Sequence, residues 1–110
     1  MASDISLSCS AAPGIDRAAA RQACDEFLDY LQETLPDRSF HASDDRLPRI
    51  DLTVTRANER GIGFDLAWIA PDGATRPGVP LSTTFFDRNS DPTLRRRFFK
   101  TFLQQNPVPF

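Results

Sequence analysis

The chain has 110 residues, 40% hydrophobic and 25% charged, which is the size and make-up of one globular domain and excludes a disordered chain. Thirteen basic against fifteen acidic side chains leave a net charge of −2, so the basic excess of a protein that relies on phosphate contacts is absent overall. Nine phenylalanines against one tyrosine and one tryptophan form an aromatic set with few polar handles, suited to a core rather than to ligand binding.

Met1 to Ser10 holds neither a basic n-region nor an apolar h-region, and no stretch approaches about 18 apolar residues. The chain ends Pro107-Val108-Pro109-Phe110, which matches no lipidation motif. Ile5, Leu7 and Cys9 alternate with Ser6, Ser8 and Ser10, and this period of two predicts a strand over Asp4–Ser10. Pro13-Gly14 ends it, and Asp16 is placed to cap a helix running to Leu35. The apolar stripe of that helix is Ala20, Cys24, Phe27, Leu28, Leu31 and Leu35, its alanine content favours the helical state, and Pro36 stops it.

Asp37–Arg49 is polar and reads as a surface loop anchored by Phe40. Ile50, Leu52 and Val54 alternate with Asp51, Thr53 and Thr55 as a half-buried strand, and Asn58-Glu59-Arg60-Gly61 supplies a turn. The return strand sets Ile62, Phe64, Leu66 and Trp68 against Gly63, Asp65, Ala67 and Ile69, giving an antiparallel hairpin. Pro71-Asp72-Gly73 opens a long loop that includes Arg76-Pro77-Gly78-Val79-Pro80, and a third strand is expected over Leu81–Phe86. Asp91-Pro92 begins a second helix that runs to Gln105, with Leu94, Phe98, Phe99, Phe102 and Leu103 on one side and Arg96, Arg97, Lys100 and Gln104 on the other. The expected fold is therefore α+β: a single domain over residues 1–110 with a small antiparallel sheet, in the order strand, helix, three-stranded meander, helix, and both helices on one face. Ile69, Phe86 and Phe110 are apolar residues that this pattern leaves outward.

Cys9 and Cys24 lie on the inner faces of a strand and of the helix that follows it, so a disulfide is expected between them. Closing this loop of roughly 15 residues contributes about 3 kcal/mol on the chain-entropy model, and it implies an oxidising compartment. The competing reading is two free, buried cysteines acting as small hydrophobes. There is no CxxC and only one histidine, so neither a metal nor any other cofactor is expected.

No catalytic residue is assigned. His41 reads as a solvated loop residue without a nucleophile or an orienting group. Asp25, Asp29 and Glu33, with Glu26 beside them, form an acidic ridge that reads as a solvated helix face. Asp44-Asp45 and the pair Asp87 and Asp91 read as turn and cap residues. The candidate binding surface is Arg96, Arg97 and Lys100; Arg95 projects toward the apolar side, within reach of Asp91, and stands outside that patch.

From Asp16 to Gln105 the order helix, three strands, helix resembles the layout of a double-stranded RNA-binding domain. The segment that would correspond to that family's basic loop is Asp87-Arg88-Asn89-Ser90-Asp91, with two acids and one base, and its Gly-Pro-X-His turn is absent. The expectation is thus a non-catalytic, exported (periplasmic) domain that acts through a protein-binding surface, at a sheet edge or on the basic side of the second helix, with a homodimer among the partners considered. The alternatives are a cytosolic nucleic-acid module using Arg96, Arg97 and Lys100, or a small enzyme using His41 or the acidic ridge.

Overall fold

The computed structural model describes residues 3–85 and 92–110. Its strands are β1 (Ser3–Ala11), β2 (Arg38–Ala42), β3 (Arg49–Asn58), β4 (Gly61–Ile69), β5 (Thr75–Pro77) and β6 (Leu81–Thr84). Helix α1 (Arg17–Thr34) follows β1, and α2 (Pro92–Gln105) follows β6. One sheet contains all six strands in the order β2-β1-β3-β4, with β5 and β6 end to end along the far flank of β4, β5 against Ala67–Ile69 and β6 against Gly61–Phe64. Asp16 caps α1 as its sequence suggests, its carboxylate accepting from the Ala19 N–H at 2.9 Å.

The fold is α+β, and the expected strand, helix, meander (β3, β4, β6) and helix are present in order with two further strands, β2 and β5, but the sheet is mixed where an antiparallel one was expected. β1 runs parallel to both β2 and β3, and only the pairs that involve β4 are antiparallel. Helix α1 returns the chain to the starting end of β1, so the strand that follows it must run parallel to β1. That strand is β2, inside the stretch Asp37–Arg49 read as a loop. Phe40 is its one large buried side chain, because an edge strand this short needs a single apolar anchor.

Residues 43–48 then carry the chain across β1 to β3. So short a crossover works because the two neighbours are staggered: β2 pairs with Ser3–Leu7 and β3 with Ser6–Ala11. It crosses on the face away from α1, and it leaves Ser6 only 5% exposed.

The β3–β4 hairpin keeps Ile50, Leu52 and Val54 opposite Trp68, Leu66 and Phe64, and its register shifts between Val54 and Arg56. A second short strand, β5, lies in the loop before β6, and the described part of the third expected strand ends at Thr84. Phe86 and the cap residue Asp91 lie outside the described residues. Ile69 is buried and Phe110 half-buried against the core, so neither is left in solvent.

Both helices cover the same face of the sheet. The Phe64 ring on β4 meets Phe27 of α1 at 5.4 Å and Phe98, Phe99 and Phe102 of α2 at 5.2, 5.8 and 5.5 Å between centroids. Tilted, edge-on and stacked ring contacts of this kind fill the core at close to crystal density and account for the excess of phenylalanine.

Candidate functional site

The seam between α1 and α2 is built first from rings and then closed by charge. Phe27 and Tyr30 meet Phe99 at 5.6 and 5.8 Å. Above them Arg95 Nε donates to Glu26 Oε2 at 2.7 Å and Arg96 Nη2 to Glu33 Oε2 at 2.9 Å. The Arg96 guanidinium also sits 5.2 Å from the centre of the Tyr30 ring, a cation–π distance. Arg95 thus has a partner across the seam, while its expected contact with Asp91 lies outside the described residues.

This arrangement divides the cationic patch read from sequence. Arg96 is engaged across the seam by Glu33 and the Tyr30 ring. Arg97 and Lys100 are exposed and make no ion pair among the described residues. On α1 the acidic ridge divides in the same way: Glu26 and Glu33 are used at the seam, whereas Asp25 and Asp29 are exposed and unpaired among the described residues.

Beside the seam, α1 and the turn of the β3–β4 hairpin enclose a cleft of about 270 Å³. Ala19, Ala23, Ala57 and Ile62 supply apolar walls, and the Glu26–Arg95 pair one polar wall. His41 is exposed on β2, on a strand rather than in a loop, with Nε2 3.5 Å from Asp4 Oδ1. Among the described residues no three His, Cys, Asp or Glu side chains gather as metal ligands would. The Trp68 Nε1 is buried with no hydrogen-bond partner among the described residues.

Cys9 and Cys24 are joined as a disulfide, with Cα atoms 6.3 Å apart and a sequence separation of 15. Cys24 is buried in the core and Cys9 lies at the surface.

Both flanks of the sheet are latched by side-chain carboxamides that sequence reasoning does not single out. Gln32 Nε2 donates to Arg38 O at 2.7 Å and its Oε1 accepts from Phe40 N at 3.0 Å, occupying two of the backbone groups of β2 that point away from β1. Arg38 Nε also donates to Phe110 O at 2.8 Å. On the far flank, Asn106 Oδ1 accepts from Val79 N at 2.6 Å and its Nδ2 donates to Val79 O at 2.9 Å and Phe102 O at 3.0 Å. Gly78 has to be glycine here, because a Cβ would stand 2.7 Å from Asn106 Oδ1 and collide with Leu66. Each backbone group paired in this way is one fewer for an added strand to use.

No family model matches the chain, and no curated protein matches it in sequence. Its fold is found in solved structures. A PelC dodecamer from Paraburkholderia phytofirmans superposes with a TM-score of 0.74 at 9% identity, over 94% of this chain and 87% of that one. Another crystal form of a PelC dodecamer from this organism gives 0.72 at 11% identity, over 94% and 86%. An uncharacterized protein known from its crystal structure gives 0.51 at 9% identity, over 94% of each chain. At these identities the likeness is one of fold. No helix among the described residues is long and apolar enough to cross a membrane.

Proposed function

We propose that this chain is a non-catalytic domain of an oxidising, extracytoplasmic compartment that works by docking a protein, and that its docking face is the outer surface of the two helices. The observation that carries this reading is the pair of exposed cations Arg97 and Lys100, unpaired among the described residues, on a helix whose other side is committed to the core. The sheet edges are the weaker choice, since β2 has two of its outward backbone groups taken by Gln32 and the far flank offers only the short strands β5 and β6. The Cys9–Cys24 bond supports the compartment, because such bonds persist where thiols are not kept reduced. The structurally similar PelC is a dodecamer, which favours a multi-copy assembly for this chain as well.

Site-directed photo-cross-linking in the native host tests the docking face. With the cross-linking amino acid at Lys100, a protein adduct is expected, and at Asp65, exposed on the helix-free side of the sheet, none. Adducts at Asp65 alone, or steady turnover of a defined substrate by the purified chain, would overturn the proposal. Thiol alkylation of protein taken from that host should label neither Cys9 nor Cys24 until reductant is added.

A further inference from the structure

The outer helix surface is bipolar, and its two halves complement each other. Asp25 and Asp29 flank Phe27 at two positions on either side, Arg97 lies two positions before Phe99, and Lys100 two before Phe102. Two positions turn an α-helix by about 200°, so each of these four charges points away from the ring that anchors its turn. Those rings are buried to 1% exposure or less, which fixes all four charges on the outer side of the layer. The charges between the two rows are already spent on Glu26–Arg95 and Glu33–Arg96. What remains is the acidic pair Asp25 and Asp29 on α1, continued toward the helix start by exposed Arg21 and Arg17 on the same ridge, beside the basic pair Arg97 and Lys100 on α2, with no ion pair for either pair among the described residues.

We infer that the occupant of this face is a second copy of the chain, related by a two-fold axis that sets Asp25 and Asp29 of each copy against Arg97 and Lys100 of the other. This rests on the docking reading above and names its partner. A polyanion would gain Arg97 and Lys100 but meet Asp25 and Asp29 as like charges, and a polycation the reverse. Only a surface with both rows in the opposite order satisfies all four, and a two-fold axis generates that surface from the chain itself. The longer helix, α1, has 18 residues and spans about 27 Å, so the contact falls at the small end of specific interfaces. The contact is polar at its centre, so the dimer is weak and weakens further as salt screens it.

Sedimentation velocity on the full, disulfide-bonded chain tests this. At low ionic strength the wild type should shift from monomer to dimer as concentration rises, and added sodium chloride should reverse the shift. Arg97→Glu/Lys100→Glu gives two acidic rows and Asp25→Lys/Asp29→Lys two basic ones. Each variant alone should dimerise at least about tenfold more weakly than the wild type. Their equimolar mixture should regain the dimer, which a general loss of folding would not permit. A wild type that stays monomeric at every concentration overturns the inference, as do variants that dimerise normally or a mixture that does not recover. Cross-links from Lys100 to a different protein alongside a strictly monomeric chain would remove the second copy and leave the docking face standing. Loss of both would remove the docking face as well.

Discussion

Gln32 and Asn106 make the same kind of contact at opposite flanks of the sheet, yet their surroundings differ. Each is a carboxamide that pairs with the backbone through both its oxygen and its nitrogen, Gln32 with β2 and Asn106 with the segment between β5 and β6. Gln32 works from an exposed helix position, where water competes for every group it binds. Asn106 is 1% exposed, so its own carboxamide has no water to turn to, although Val79 is 49% exposed and the Phe102 carbonyl also accepts from the Asn106 N–H. The comparison teaches that the count of hydrogen bonds does not rank the two latches. The cost of leaving a group unpaired does, and that cost grows with burial.

The largest effect is therefore expected at the buried latch. Asn106→Ala should cost about 1–3 kcal/mol in denaturant unfolding, since it removes the side-chain partners of the Val79 N–H and carbonyl and leaves a void where a buried carboxamide stood, while the Phe102 carbonyl keeps the Asn106 N–H. It should also loosen β5 and β6 together, read as faster amide exchange at Gly78 and Val79. Gln32→Ala should cost about 0.5–1 kcal/mol, because water replaces what it removes. Its signature should lie elsewhere, in concentration-dependent association through the newly opened β2 edge. Equal losses for the two variants would break the comparison.

The smallest effect belongs to a polar contact exposed on both sides. Ser43 Oγ donates to Asp45 Oδ1 at 2.7 Å, and this hydroxyl, more than any other neighbour, holds the Asp45 carboxyl below the usual aspartate range. A depressed carboxyl favours the folded state above its ordinary pKa, and that contribution disappears as pH falls through the lowered value. Ser43→Ala should move the Asp45 titration upward in an NMR pH series and leave unfolding curves at acid pH unchanged.

Much of this was legible in the sequence where periodicity is strong. The stripe of α1, the phenylalanines of α2 and the alternation in β3 and β4 all lie where the pattern places them. β2 was not legible, because an edge strand with only Phe40 buried looks like a polar loop. β5 was hidden by the prolines and glycines around it, and strand direction leaves no mark on a period-two pattern. At the site, Arg97 and Lys100 could be read from helical spacing alone. The engagement of Arg96 with Glu33, 63 residues away, could not, and neither could the latches, which depend on where α1 and α2 end against the sheet.

The most direct test of the helix layer as a self-docking face is a dilution series of ¹H–¹⁵N NMR spectra at low ionic strength, from near-millimolar to low micromolar chain. The account predicts that the amides that shift cluster around Asp25, Asp29, Arg97 and Lys100, and that salt reproduces the dilute spectrum. Shifts clustered instead around Asp51, Thr53 and Asp65, or a spectrum that does not change with concentration, would contradict it.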